Sequence, residues 1–103
     1  MDREEILRRK AEIEERYGQW VSHSIKLADG IYTTPPEAQR RKLDSVRRFI
    51  QIISDVTNAP LEGLRVLDLA CLEGIYAVEF ALRGARVVGI EGRRRNIEKA
   101  RFV

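Results

Sequence analysis

Carboxylates near the ends of two apolar runs in the second half of the chain could bind a ligand. The first is Asp68, followed by the turn Ala70-Cys71-Leu72-Glu73-Gly74, and the second is Glu91. Ligands of an open parallel sheet lie outside the carboxyl ends of its strands, where a carboxylate can accept hydrogen bonds from the two hydroxyls of a ribose. The alternative interpretation of Glu91 is a solvated strand end.

The turn contains one glycine, which restricts the class of nucleotide it could bind. A dinucleotide site needs G-x-G-x-x-G so that the backbone can approach a pyrophosphate, and this sequence has no such triplet. No G-K-[ST] follows, which excludes a P-loop. Asp68 and Glu73 suit a phosphate poorly but are compatible with a cationic ligand.

The elements around the turn follow from apolar runs. They predict a buried strand over 64–69, a helix over 74–82 ended by Gly84, a second strand over 85–91 and a helix over 93–102. This order and spacing imply a βαβ crossover and a parallel sheet, so the fold class is α/β.

Two further elements are predicted before this unit. Helical intervals between Ile6, Ile13 and Tyr17 predict a helix over 3–18. Residues 20–27 read as a short strand or extended arm, ended by a turn at 28–30. Its apolar side would carry Val21, His23, Ile25 and Leu27.

A long helix is predicted over 35–56, with Thr34 as its N-cap, Pro35 in its first position and Glu37 completing a capping box. Its buried stripe would consist of Leu43, Val46, Phe49, Ile50 and Ile53, and the residues 58–60 would end it. The basic residues would lie largely on its exposed side; they are Arg40, Arg41, Lys42, Arg47 and Arg48.

Composition limits the remaining possibilities. The 103 residues carry a net charge of +3, too little to argue for nucleic acid as a partner, and predict one domain at most. The single cysteine, Cys71, allows no intramolecular disulfide and none of the usual zinc spacings, so we expect no metal. Burial as a packing residue is the expected role of Cys71.

No apolar run of ~18 residues and no leader pattern is present, which predicts a cytoplasmic protein without a membrane span.

The βαβ stretch resembles motif I and the following strand of class I S-adenosylmethionine-dependent methyltransferases. The family pattern is V-L-D-L-G-C-G-x-G, a helix, and a strand ending in V-x-G-I-E or V-x-G-I-D. This sequence has Val66-Leu67-Asp68-Leu69, Cys71, Gly74 and Val87-Val88-Gly89-Ile90-Glu91. The resemblance implies a Rossmann-like fold, S-adenosyl-L-methionine as cofactor and methyl transfer as the activity.

The resemblance also implies roles for individual residues. Asp68 would order the turn near the methionine amino group, and Glu91 would bind the ribose hydroxyls. The backbone from Ala70 to Gly74 would approach the methionine part and the ribose, and Gly92 and Arg93 would lie near the adenine. Ala70 and Leu72 stand where the pattern prefers glycine. Alanine is tolerable there if its φ is negative, and Leu72 would have to turn its side chain away from the ligand.

A weaker resemblance covers Trp20 to Pro35. It is similar to the W-x-H-x-I-x-L-x-x-G-x-x-T segment of methyltransferases like those that modify wobble uridine in tRNA, and it implies an arm that covers the cofactor or admits the substrate. Trp20, His23 and Thr33 would belong to that arm. The other interpretation is that Trp20 anchors the arm to the core and that His23 is a half-exposed strand residue.

These resemblances divide the chain into an N-terminal helix and arm, 1–34, and the start of a cofactor-binding domain, 35–103. A class I methyltransferase sheet has more strands than two, so the chain is expected to be an N-terminal fragment. Its partner would be the remainder of the domain, and by itself it would bind cofactor weakly or not at all. No catalytic residue can be named, and the methyl acceptor, a small molecule or RNA, stays open. Two alternatives also stay open, an NAD-binding oxidoreductase fragment and a non-enzymatic RNA-binding module that uses the basic helix at 40–48.

Overall fold

The structure, a computed structural model, describes residues 1–103 apart from the side chains of 38–41. The predicted exposure of Arg40 and Arg41 therefore falls outside the described residues. The helices are α1 (Arg3–Tyr17), α2 (Pro36–Thr57), α3 (Ile75–Leu82) and α4 (Arg94–Phe102). The strands are β1 (Lys26–Ala28), β2 (Ile31–Tyr32), β3 (Arg65–Leu69) and β4 (Arg86–Ile90).

The predicted βαβ unit is confirmed. Strands β3 and β4 pair in parallel, from Arg65 opposite Arg86 to Leu69 opposite Ile90, and α3 connects them. The core beneath this pair is formed by Leu61, Phe80 and Ala85. Half-buried apolar side chains from α2 and both strands pack against it, among them Ile50, Ile53, Val66 and Val87. The α/β class predicted from the sequence is therefore the observed one.

Helix α1 is confirmed within one residue of its predicted end. The Asp2 carboxylate caps it by accepting a hydrogen bond from the Glu5 N–H at 2.8 Å, and Gly18 ends it with φ of +81°. Its apolar residues Ile6 and Ile13 are half-buried, because α1 packs against α4. The N-terminal helix is thereby placed beside the βαβ unit.

The predicted N-cap of α2 is wrong, although the helix begins only one residue after its predicted start. The helix begins at Pro36, Pro35 occupies the N-cap position, and the Thr34 hydroxyl makes no capping bond. The Thr34 Oγ1 is instead buried without a partner among the described residues. The Ser24 hydroxyl donates to the carbonyls of Thr34 and Pro35 at 3.0 and 3.3 Å, so contacts with the arm set the chain direction at this helix start. The predicted end is confirmed, since Asn58 adopts a left-handed conformation after the last turn.

Of the two forms predicted for 20–27, a short strand or an extended arm, the strand is wrong in extent, and the predicted facing is wrong at two positions. Only Lys26–Ala28 is a strand, and it pairs antiparallel with β2. His23 and Ile25 are buried as predicted, but Val21 is 82% exposed and Ser24 is 1% exposed, against the predicted alternation. The N–H groups of residues 21–23 and 25 donate to the side chains of Glu73 and Thr33 and not to a neighbouring strand, so no period of two is imposed on this segment.

Several apolar side chains predicted to be buried are exposed. Leu67, Leu69, Val88 and Ile90 are between 51 and 66% exposed, and Phe49 on α2 is 52% exposed. The reason is that the described elements cover only part of the β3–β4 pair. Within the described residues no helix is long and apolar enough to cross a membrane, and no cluster of three or more metal-ligating side chains occurs.

Candidate functional site

The turn after β3 contains three left-handed residues at alternate positions. The φ angles are +57° at Ala70, +52° at Leu72 and +94° at Gly74. Ala70 therefore does not meet the condition of a negative φ under which alanine was expected to be tolerable there. A Cβ is penalised in this region of backbone space, so each of these positions favours glycine. They are the three positions at which the family pattern G-C-G-x-G has glycine.

Backbone hydrogen bonds fold this turn over the end of β4. The Cys71 N–H donates to the Ile90 carbonyl at 3.0 Å, and the Gly74 N–H donates to the Cys71 carbonyl at 2.9 Å. Gly74 could not carry a side chain without displacement, because a Cβ there would lie 3.3 Å from the Ala100 Cβ on α4. The turn is thus fixed between the sheet end and α4.

Glu91 lies at the end of β4 and faces the turn. Its carboxylate accepts hydrogen bonds from the Arg93 N–H and the Leu72 N–H, both at 2.9 Å. The Arg93 N–H, followed by the Leu72 N–H and the Asn96 side chain, holds the pKa of Glu91 below its usual value. The carboxylate is consequently ionised at neutral pH, and it joins the turn to the start of α4.

The residues next to Glu91 are open to solvent. Gly92 and Arg93 are both exposed, and a Cβ built on Gly92 would meet nothing within 4 Å. Leu72 is half-buried, and its N–H is the group that reaches Glu91. The strand end therefore offers an accessible surface with one oriented negative charge.

Asp68 lies in the last part of β3 and has an unsatisfied oxygen. Burial raises the pKa of Asp68, and the N–H of Ala77 partly offsets this effect. Its Oδ2 is buried and has no hydrogen-bond partner among the described residues. An oxygen in this state is suited to a donor supplied by a ligand or by another part of the protein.

Four of the predicted site residues line two separate cavities. Cys71, Gly74 and Glu91 line a cavity of about 450 Å³ together with Ile97 of α4. Asp68 instead lines a groove of about 360 Å³ whose other walls are mainly apolar, with the aromatic side chains of Phe49, Tyr76 and Phe80. The structure therefore brings Glu91 to the turn and places Asp68 on a different cavity.

Cys71 is a buried packing residue against β4. A Cβ on Gly89 would come within 3.0 Å of its Sγ, so the thiol fills the space that this glycine leaves. Burial raises the pKa of the Cys71 thiol, and the nearby charges of Asp68 and Glu91 raise it further. A protonated, enclosed thiol is a poor nucleophile.

Glu73 is the predicted site residue whose surroundings differ most from the expectation. It is fully buried, and its carboxylate accepts hydrogen bonds from the N–H groups of Val21, Ser22 and His23 at 3.0, 2.9 and 2.8 Å. The Lys99 ammonium lies 3.4 Å from the same carboxylate. Its oxygens are thus used by the N-terminal arm and by α4.

The sequence did not predict that Lys99 would be buried beside the turn. It is 2% exposed, and its ammonium also donates to the Gln19 carbonyl at 2.5 Å. Nothing in its local pattern indicates burial, because a lysine in a charged helix is normally solvated. Its distant partners Glu73 and Gln19 explain its position.

The arm residues Trp20, His23 and Thr33 are each 3% exposed, so the expectation of a half-exposed His23 is wrong. The His23 Nδ1 accepts a hydrogen bond from the Ile75 N–H at 3.3 Å and thereby caps α3. Burial lowers the pKa of His23; Glu73 opposes this effect and Lys42 adds to it. The ring is therefore neutral at pH 7, with Nδ1 unprotonated.

Thr33 and Trp20 anchor the two ends of the arm. The Thr33 hydroxyl donates to the His23 carbonyl and accepts from the Ile25 N–H, both at 2.8 Å. The Trp20 ring packs 6.0 Å from that of Phe102, with the Lys99 ammonium 5.8 Å from its centre. Both side chains face the protein interior, as in the anchoring interpretation.

Comparisons with known proteins find methyltransferases. The chain is 32% identical over 91 residues to the 4-amino-L-phenylalanine/4-methylamino-L-phenylalanine methyltransferase of Streptomyces pristinaespiralis, a match that covers 86% of this chain and 30% of that protein. It is 55% identical over 42 residues to the ubiquinone biosynthesis O-methyltransferase of Methylocella silvestris, covering 41% of this chain and 16% of the relative. The corresponding protein of Leptothrix cholodnii is 35% identical over 67 residues, covering 65% and 28%.

The matches are partial, and the chain spans at most 30% of the length of these three relatives. No protein-family model matches the chain. No solved structure matches it significantly. The residue pattern, the βαβ unit and the names of the relatives nevertheless agree, and they confirm that this chain is similar to part of the class I S-adenosylmethionine-dependent methyltransferases.

Proposed function

We propose that this protein transfers a methyl group from S-adenosylmethionine and that residues 68–93 form part of the cofactor site. The observation that carries the proposal is the turn, whose residues 70, 72 and 74 have the backbone conformation that the three glycines of the family pattern provide. The activity is proposed for the whole protein, because this chain spans at most 30% of the length of the three relatives.

The charges around the turn fit this cofactor better than a phosphate-containing one. S-adenosylmethionine carries a positive sulfonium and an ammonium group and has no phosphate. The ionised Glu91 and the unsatisfied oxygen of Asp68 are acceptors, and a pyrophosphate would be repelled by them. Asp68 lines the other groove, so its role requires that the methionine end of the cofactor extends past the turn into that groove. The methionine ammonium would then donate a hydrogen bond to the buried Oδ2 of Asp68.

Glu91 would hold the ribose. A carboxylate can accept about four hydrogen bonds. Here the Leu72 and Arg93 N–H groups and the Asn96 side chain take three of these sites and fix the orientation of the group. The remaining acceptor site is available to a ribose hydroxyl. Such a pre-oriented acceptor lowers the ordering cost of binding.

When bound, the cofactor supplies an electrophilic methyl carbon on its sulfonium. The residues of this chain then bind and orient the cofactor. In this proposal no proton transfer is assigned to Asp68, Glu91 or Cys71. In this proposal Asp68 and Glu91 bind and orient the cofactor through charge and hydrogen bonds, and Cys71 packs against β4.

The names of the relatives favour a small-molecule acceptor over RNA. One relative is named for 4-amino-L-phenylalanine and two for ubiquinone biosynthesis. We propose an acceptor of this size class. The resemblance of the arm to wobble-uridine methyltransferases stays a prediction.

The proposal is tested by calorimetric titration of the full-length protein with S-adenosylmethionine. Glu91→Gln should weaken binding by about tenfold or more, because hydrogen bonds to a charged acceptor contribute roughly 1.5–3 kcal/mol. The matched control is Glu15→Gln on the exposed side of α1, which should leave the affinity unchanged.

Other results would favour the alternatives. Binding of NADH, seen by its fluorescence, without binding of S-adenosylmethionine would favour the oxidoreductase. Steeply salt-dependent RNA binding that is lost on charge reversal at Arg40, Arg41 and Lys42 would favour the RNA-binding module.

A further inference from the structure

Glu73 joins the N-terminal arm to the turn through a set of directed hydrogen bonds. Its carboxylate accepts from three consecutive N–H groups, those of residues 21, 22 and 23, at 2.8 to 3.0 Å. Hydrogen bonds to an ionised acceptor are the strong ones. Glu73 lies directly before Gly74, so this contact acts on the turn itself.

Lys99 brings α4 to the same point. Its ammonium lies 3.4 Å from the Glu73 carboxylate and donates to the Gln19 carbonyl at 2.5 Å. The side chains of both charged residues are at most 3% exposed. Removing one partner of such a pair would leave an uncompensated buried charge.

His23 supplies a second connection on the other side of Gly74. Its Nδ1 accepts the N–H of Ile75, the first residue of α3. The residues on both sides of Gly74 are therefore fastened to the segment 21–23. The arm contacts the turn through the backbone N–H groups of residues 21–23 and through the His23 side chain.

A turn with two non-glycine residues in left-handed conformation needs such support. Each of these conformations is unfavourable for a residue with a Cβ, and strained positions persist where their surroundings over-determine them. We propose that residues 19–23, together with Glu73 and Lys99, form a latch that keeps the turn in its ligand-binding conformation.

Glu73 is then a positioning residue and not a ligand contact. This inference rests on the proposed function, because the affinity that the latch supports is that for S-adenosylmethionine. The latch itself is a property of the arm and the turn that can be measured without any ligand.

The first test compares Glu73→Gln with the double variant Glu73→Gln/Lys99→Met in the full protein. The single variant leaves the Lys99 charge buried, so its urea midpoint should fall. The double variant removes both charges at similar volume and should recover part of the stability. Its affinity for S-adenosylmethionine should stay reduced by about tenfold, the factor that corresponds to about 1.4 kcal/mol. The reason is that a glutamine amide offers one acceptor oxygen to three N–H groups.

The second test is amide hydrogen exchange in the same variants. The N–H groups of residues 21–23 should be protected in the natural protein and exchange faster in both variants, and those of Leu72, Gly74 and Ile75 should follow them. A double variant with normal stability and unchanged affinity would overturn the latch. So would unchanged exchange in the turn.

The outcomes separate the two proposals. If the natural protein binds no S-adenosylmethionine, the proposed function fails, and the exchange of the turn amides still decides whether the latch exists. If it binds the cofactor and the double variant binds equally well, the function stands and the latch fails. Glu15→Gln is the matched control for both measurements.

Discussion

Replacing Ala70 by glycine should stabilise the protein, although the same replacement usually destabilises. Ala70 has φ of +57°, in the left-handed region, and its side chain is exposed. Glycine adopts this conformation without the steric cost that a Cβ imposes. Because the methyl group is exposed, its removal forfeits little packing.

The magnitude follows from two opposing contributions. A residue with a Cβ costs roughly 1–2 kcal/mol in the left-handed conformation. Glycine adds conformational freedom to the unfolded chain, which costs about 0.4–1 kcal/mol. The free energy of unfolding should therefore rise by about 0.5–1 kcal/mol in Ala70→Gly.

Urea denaturation of the natural protein, Ala70→Gly and Ala11→Gly measures this difference. Ala11 is exposed in the middle of α1, where glycine should lower the free energy of unfolding by about 1 kcal/mol. The two replacements are chemically identical and should have opposite signs. If Ala70→Gly destabilises as much as Ala11→Gly, the left-handed turn and the explanation of the family glycines are both refuted.

Two further replacements probe buried contacts near the turn. Burial lowers the pKa of His23 from its ordinary value of 6.5; Glu73 raises it and Lys42 lowers it further. The contribution of the neutral His23 to the free energy of unfolding should therefore be complete above pH 6.5 and be lost as the pH falls below that value. This decrease is at most about 1.4 kcal/mol per pH unit. His23→Asn, which retains an acceptor, should abolish the decrease when urea denaturation is repeated over this pH range. An unchanged dependence of the free energy of unfolding on pH in that variant would contradict this. Gly89→Ala should destabilise by about 1–3 kcal/mol, since its Cβ meets the Cys71 Sγ at 3.0 Å. Cys71→Ala in the same chain should restore part of that loss, and a neutral Gly89→Ala would contradict the close contact.

The sequence by itself determined the order and type of the main elements. Helices α1, α2, α3 and α4 and the strands β3 and β4 begin and end within two residues of their predicted limits. Apolar periodicity and glycine or asparagine stops are local signals, and they suffice where an element buries one face. The same pattern also predicted where Glu91 lies, at the strand end beside the turn.

Only the tertiary structure decided what the polar side chains do. Glu73 was expected beside a ligand and instead binds residues 21–23, which are about fifty positions away in the chain. That contact buries Lys99 and leaves Val21 exposed, against the local pattern of each. The sign of φ at Ala70 and Leu72 was likewise invisible, because alanine and leucine do not by themselves favour a left-handed conformation. Contacts between distant segments supply the free energy that overrides these local preferences, and no window of the sequence contains both partners.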